Sequence, residues 1–299
     1  MFTYKTAKGK VYFNFFDVFN YLFMALFALS IIYPFWDMLM KSFSTPAEAA
    51  KVGFNLWPGE FTLSSYRAVF EGSNIAAGYF NTIFRTFFGT VLMLAVTVCA
   101  AYPLTKNDLP MKNGITLFLL LTMFFSGGLI PNYMLIKSLQ LVDSRWSLIL
   151  PMLANVFNIV IVRNFMSSID KSLEESAQID GANHVYVLFK IIVPISKPIL
   201  ATVALWSIVG HWNSWFDSMI YINSNAKQVL QIFLRKILIQ YDGQEIARIM
   251  QGSGQGQDQF APDSLKAAFM YITITPIICA YPFLQKYFVK GIMIGSLKG

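Results

Sequence analysis

The sequence predicts an all-α integral membrane protein with six transmembrane helices, and three observations carry that prediction. Of 299 residues, 56% are apolar and only 13% charged. Soluble domains carry about 25% charged residues, so this chain lacks the charge to coat a globule of its size. Its mean hydropathy is +0.52. Six stretches free of Asp, Glu, Lys and Arg are long enough to cross a hydrocarbon core of roughly 30 Å, which takes about 17–25 residues of helix. An aromatic content of 16% excludes a disordered chain, because disorder goes with few aromatics and much charge. Barrel strands are shorter and alternate polar with apolar, so a β-barrel does not compete.

The first stretch, Val18 to Trp36, follows Lys5, Lys8 and Lys10. It exceeds the roughly 7–15 apolar residues of a signal peptide. The cleavage-like Ala47-Glu48-Ala49 lies well beyond its end, so we read a retained span. The second runs from Thr86 to Leu104, or starts nearer Tyr79, which takes Arg85 into the headgroup zone. The third, Ile115 to Ile136, contains Ser126-Gly-Gly-Leu-Ile-Pro131-Asn132. Gly-Gly followed by Pro weakens a helix and frees carbonyls, which is tolerated only against protein or water. That break either shapes a path, acts as a hinge or serves packing alone. Trp146 to Val162, Pro198 to Phe216 and Ala267 to Gln285 complete the set.

An even number of spans puts both termini on one side. Lysines precede the first span, and Lys286, Lys290 and Lys298 follow the last, which favours a cytoplasmic side for both ends. Over the whole chain the basic residues divide almost evenly, so charge gives a lean only. The expected organisation is a cytoplasmic segment, 1–17, and a single transmembrane domain, 18–299.

The net charge of +7 comes from 23 basic and 16 acidic residues. No run or helix face gathers them, so nucleic acid is not an expected partner; membrane lipid is. Cys99 and Cys279 both fall in apolar blocks, which argues against a structural disulfide. Two histidines and two cysteines without ligand spacing argue against structural zinc. No G-x-x-x-x-G-K-[ST] occurs, so the phosphate-cradling loop of a nucleotide site is expected on another polypeptide. Gly252-Ser-Gly-Gln-Gly256 reads as a flexible linker.

The segment 166–198, between the fourth and fifth spans, is the most informative. Ser172 and Glu175 have capping-box spacing and predict the start of a short helix. Asp180-Gly181 supplies its stop, since Gly accepts the left-handed backbone that ends helices. A second short helix is expected from about Asn183 to Ile192, running into Pro194 and Pro198. On residues alone, this is either a plain connector or a docking element.

Glu175-Ser-Ala-Gln-Ile-Asp-Gly181-Ala, followed by Ile-Val-Pro194, resembles the EAA loop of ABC-transporter permease subunits. That pattern reads E-A-A, three residues, G, nine residues, then I-x-L-P. Ser176 replaces the first Ala and Val193 the Leu, both conservative in size. Phe124-Phe-Ser-Gly-Gly-Leu-Ile-Pro131, His211-Trp-Asn-Ser-Trp-Phe-Asp217 and Tyr281-Pro-Phe-Leu-Gln-Lys-Tyr-Phe-Val-Lys-Gly-Ile-Met-Ile-Gly295 are similar to carbohydrate-uptake permeases of the maltose-system type, nearest the poly- and oligosaccharide branch. The resemblance covers nearly the whole chain.

It implies a MetI-like permease fold in a bacterial inner membrane. The chain would be half of the translocation pathway for an oligosaccharide. Its implied partners are a second homologous permease subunit, two ATP-binding cassette subunits that hold ATP and Mg, and an extracytoplasmic solute-binding protein. No cofactor is expected on this chain. The coupling helix between spans four and five would seat in a cleft of the ATPase through Glu174, Glu175, Ser176, Ala177, Asp180, Gly181, Ala182 and Pro194. ATPase closure would then rock the bundle between access states.

Span five carries a polar stripe: Ser207, Gly210, His211, Asn213, Ser214, Asp217 and Ser218 recur at three- and four-residue steps, which makes one helical face. Trp206, Trp212 and Trp215 flank it. Such a stripe faces the bundle interior or water. It therefore either lines the path, with Asn81, Arg85 and Asn132 as further candidates, or packs helix against helix. Asn81 and Arg85 also fit interfacial anchors. The outer loops 41–78 and 223–264 are too long for tight turns and offer a landing surface for a binding protein, or merely cap the bundle. The competing function class is a membrane-embedded enzyme acting on lipid-linked sugar. Asp37, His211 and Asp217 are its only near-membrane candidates, and none has a paired partner in a recognisable motif.

Overall fold

The computed structural model describes residues 3–6, 9–12, 15–51, 53, 55–72, 74–240 and 263–279. Apart from one antiparallel hairpin, β1 (Thr3–Thr6) with β2 (Gly9–Tyr12), the described regular structure is helical. The expected all-α class holds except for that hairpin. Two compact units emerge, Met1–Ser73 with Tyr241–Ile272 and Asn74–Gln240 with Thr273–Gly299.

In the first unit, α1 (Phe15–Ser42) is long and apolar enough to cross a membrane. Its most apolar window is entirely unburied within the chain, as expected of a surface built for lipid or another subunit. The short helices α2 (Pro46–Ala49) and α3 (Ser64–Gly72) follow. Phe43 stacks between Phe61 and Tyr66, with centroids 5.2 and 5.1 Å away. The Ser42 and Tyr66 hydroxyls lie 2.8 Å apart, and Trp36 Nε1 donates to the Leu56 carbonyl at 3.0 Å. The loop from Lys41 is thus tied back to the end of the first span.

The second unit is built on α4 (Ile75–Ala101), which continues through a 3-10 turn (Pro103–Thr105) as one apolar rod. It begins well before Thr86, near the earlier start the sequence allowed. The expected third span is broken: α5 (Lys112–Phe124) and α6 (Leu129–Ser138) meet at 113° across the Gly-Gly segment. Gly128 sits there at φ +83°, a conformation Gly adopts without a Cβ penalty. The fourth is two 3-10 turns over Arg145–Met152 bent by 48° from α7 (Val156–Ser167). Pro151 interrupts the hydrogen-bond ladder there, as Pro must.

The loop after α7 holds α8 (Ser172–Ile179), α9 (His184–Val187), a wide turn over Leu188–Ile192 and α10 (Val193–Ile195). It meets α11 (Lys197–Asn213) at 80°. Then come α12 (Phe216–Tyr221) and α13 (Leu230–Arg235). The last helix among the described residues, α14, covers 263–279.

Among the described residues two helices are long and apolar enough to span a membrane, or up to five if each bent pair counts as one. The sixth expected stretch lies partly outside the described residues, and Gly252–Gly256 and the motif from Tyr281 lie wholly outside them. The core of the second unit gathers Met93, Val98, Ala101 and Tyr102 from α4 and its end, Ile159, Val162 and Met166 from α7, and Val187, Leu188 and Ile192 from the loop. Small side chains of the loop, Ala177 and Ala182, pack against that cluster. The loop is therefore seated on the bundle rather than dangling from it.

Candidate functional site

Two polar regions stand out in the second unit. The first surrounds Arg85 on α4, whose side chain is 1% exposed. Its Nη1 donates to Asp217 Oδ1 at 3.1 Å and to the Ser214 carbonyl at 3.2 Å. Its Nη2 pairs with Asp217 Oδ2, and its Nε donates to His211 Nδ1 at 3.2 Å. A guanidinium presents this planar fork to a carboxylate. With Nδ1 accepting, the imidazole proton is left for Nε2.

The span-five stripe is not one continuous face. Helix α11 ends at Asn213, Ser214 is extended at ψ 130°, and the chain restarts as α12. Asp217 helps that restart: its Oδ1 also accepts from Ser214 Oγ and from the Ser218 amide, each at 2.9 Å. A carboxylate in the first turn of a helix satisfies amides that lack intrahelical partners. The break therefore places Ser214 and Asp217 around Arg85.

Asn81, one turn before Arg85, is also buried rather than held at an interface. Its Nδ2 donates to the carbonyls of Ala226 and Gln228 at 2.8 and 2.9 Å, and its Oδ1 accepts from Arg145 Nε at 2.6 Å. Ser207 Oγ accepts from Thr90 at 3.1 Å. Trp212 is buried, donates to the Thr273 carbonyl at 3.3 Å and meets Tyr79 edge-on. Trp215 lies under the Arg235 guanidinium, 3.7 Å from its ring centre. Asn132 and Asn213 are exposed. A cavity of about 340 Å³ is lined by Ser207, Gly210, His211, Asn158 and Trp206 among others. Arg85, His211 and Asp217 thus meet, while Asn81, Ser207, Trp212 and Trp215 have separate partners. Sequence reasoning missed Arg145, Thr90 and Gly89. Of these only Gly89, which lies against the His211 ring, continues the four-residue step from Asn81 and Arg85 along α4, and nothing local marks Arg145 or Thr90.

The turn before the fourth expected span is clipped by Asp143, at φ +59°. Its carboxylate accepts from the Asn223 and Ser224 amides at 3.1 and 2.9 Å and from Lys227 at 2.8 Å. The Lys227 hydrogen bond, then the Ser224 amide, hold its pKa below the usual 3.8.

The second region is the loop 166–198. The Ser172–Glu175 capping box does not form: Ser172 lies inside α8, and its amide donates to Asp170 Oδ1 at 3.0 Å. Asp170 outcompetes it because a charged carboxylate is a stronger acceptor than a hydroxyl; the same hydrogen bond lowers its pKa. Helix α8 stops at Asp180, and Gly181 turns the chain at φ +85° with its amide on Gln178 O. Asn183 caps α9 by accepting from the Tyr186 amide at 2.8 Å, so the expected second helix starts where predicted and runs on through Pro194 to Ile195.

Glu175, Ser176, Asp180 and Gly181 are exposed, Glu174, Ala177 and Ala182 half-buried, and Pro194 exposed. Beside them Ile179 stands 86% exposed, with Val185 and Tyr186 also out. Glu174 turns inward instead. It forms an ion pair with Lys106 and accepts from Tyr102 OH at 3.3 Å. Burial, foremost, lowers the Lys106 pKa.

No protein-family model matches the chain. Protein LplC of Bacillus subtilis is 40% identical over 298 residues, covering 99% of this chain and 98% of that protein. The polygalacturonan/rhamnogalacturonan transport system permease protein YtcP of the same organism is 38% identical, covering 95% and 98%. The chain belongs to the permease subunits of carbohydrate ABC transporters. A solved structure extends the likeness. The permease superposes with a TM-score of 0.85 and 30% identity on a chain from a bacterial ABC transporter that imports the acidic polysaccharide alginate, covering 93% and 99% of the two. The permease is therefore a membrane transport subunit of a sugar importer, and none of these relatives supports an enzyme acting on lipid-linked sugar.

Proposed function

We propose that this permease forms half of the translocation pathway for an oligosaccharide delivered by an extracytoplasmic binding protein, with ATP turnover supplied elsewhere. It acts beside a second, related permease and two ATP-binding cassettes, which hold ATP and Mg. Six crossings put both termini and the loop 166–198 in the cytoplasm. The carrying observation is the exposed rim of Glu175, Ser176, Asp180, Ile179 and Val185 on a loop whose other face, Ala177 and Ala182, packs into the bundle core. Such a loop seats a partner on one side and moves the spans on the other.

The exposed Asn132 and Asn213 and the cavity beside Ser207 and His211 supply the path with hydrogen-bonding groups, and Trp206 an aromatic face. Asn81, Arg85, Trp212, Trp215 and Asp217 shape that path from behind, since their polar atoms and rings are engaged within the protein. Two relatives handle acidic polysaccharides, so fragments of acidic polysaccharides are the first substrates to test. The experiment is ATP turnover by the reconstituted complex with its binding protein across neutral and acidic oligosaccharides. Stimulation by one set supports the reading; a complex that assembles without any ATPase subunit refutes it.

A further inference from the structure

The Glu174 contact has a geometry unlike the rest of the loop. Glu175 and Ser176 point outward, whereas Glu174 reaches back to the end of α4. There Lys106 Nζ pairs with it, Tyr102 OH donates to the same oxygen, and the Lys106 ammonium also sits 4.2 Å from the centre of the Tyr102 ring. Lys106 and Glu174 side chains are only 21% and 16% exposed. A pair this shielded is less screened than a surface pair. The turn that carries Lys106 is itself pinned: Arg163 Nε on α7 donates to the Leu104 carbonyl at 3.1 Å, and Thr105 Oγ1 to the Tyr102 carbonyl at 2.6 Å.

Helix α4 and its extension run unbroken over Ile75–Thr105, while the third and fourth spans are each bent and the fifth stops at Asn213 before restarting. Arg85 lies 17 residues before Tyr102, about 25 Å along a helix rising 1.5 Å per residue. There, within the span, α4 grips Ser214 at the break in span five and Asp217 just past it. One rod thus holds the loop at its end and, about 25 Å away, the restart of span five.

We propose that Lys106 and Tyr102 are positioning residues that bolt the coupling loop to α4 through Glu174, so that motion of the loop is delivered along α4 to the Arg85–Asp217 joint. The loop then drives the bundle by two routes, through its own chain into spans four and five and laterally into span two. Glu175 is left for the partner. The inference rests on the reading that the loop docks on the ATPase.

The test uses the full complex in lipid, with Cys99 and Cys279 replaced by Ala and spin labels at Ser172→Cys on α8 and Ile83→Cys on α4. Distances are read without nucleotide and after trapping with ATP, Mg and vanadate. With Lys106 and Glu174 intact, the two labels keep one narrow separation in both states. Lys106→Glu broadens or shifts it on trapping, Lys106→Gln does so more weakly, and Lys106→Glu with Glu174→Lys restores it. A separation that stays narrow in Lys106→Glu overturns the proposal, as does a charge swap that assembles but restores nothing. A third label on the ATPase separates the two ideas. If α8 does not move with the ATPase on trapping, the docking reading itself fails. If it moves with it while Lys106→Glu has no effect, only the bolt to α4 fails.

Discussion

Arg85 on the second span and Asp217, just past the break in the fifth, form a two-pronged ion pair. They stand 132 positions apart in the chain. A lone arginine in the middle of a span costs about 2.5–3.5 kcal/mol on insertion scales, so the residue is tenable because its carboxylate partner meets it. Removing one member of a buried pair strands the other, at about 3–5 kcal/mol. Arg85→Met and Asp217→Leu should each lower the thermal midpoint of the purified complex strongly. The double variant should lose less than the sum of the two. Additive losses would mean that the pair contributes no coupling.

That pair also marks how far the sequence could be read. The apolar stretches announced the membrane class, and Ser126-Gly-Gly to Pro131 announced the break that appears as a 113° bend. The turn at Asp180-Gly181 and the helix start near Asn183 were equally local, hence legible. Arg85 was not. From sequence it belongs at a headgroup, because nothing nearby neutralises it and its partners lie far along the chain. The polar stripe of span five looked continuous for the same reason: spacing assumes an unbroken helix, and the helix ends at Asn213. At α8 two acceptors competed for one helix start, and spacing alone chose Ser172 where the charge of Asp170 decides.

Gly89 makes room for the ring that Arg85 engages. A Cβ at this position would lie 2.7 Å from His211 Cε1 and 2.9 Å from Cδ2. Gly89→Ala should displace the imidazole, break its hydrogen bond with Arg85 and cost about 1–3 kcal/mol as overpacking does. His211→Ala in the same chain should recover most of the lost thermal stability. A Gly89→Ala variant as stable as the parent would contradict the packing.

Asp143 supplies a pH-dependent clip. Its folded pKa lies below 3.8, held there first by Lys227. A depressed carboxylate contributes stability that is fully present above the unfolded value and is lost as pH falls through the folded one. Exchange protection of the Asn223 and Ser224 amides should therefore hold from neutral pH down to about pH 4 and fall away below it. Asp143→Ala should remove that protection throughout. Protection lost already near neutral pH would contradict the clip.

Gly181 turns the loop at φ +85°, and a Cβ there would meet nothing within 4 Å, so substitution strains the backbone without a clash. Holding a non-glycine residue in that region costs about 1–2 kcal/mol, too little to prevent insertion. Gly181→Arg should insert and still assemble with the second permease, yet detach or uncouple the ATPase. Unchanged uptake would count against the role of this turn.

The most direct test is cross-linking from the loop itself. With Ser176→Cys in the Cys99→Ala, Cys279→Ala background, a short bismaleimide should join this permease to an ATP-binding subunit, and a membrane-impermeant thiol reagent added outside intact cells should leave position 176 unmodified. Labelling of that cysteine from outside, or a loop that cross-links to no ATPase, would contradict the account.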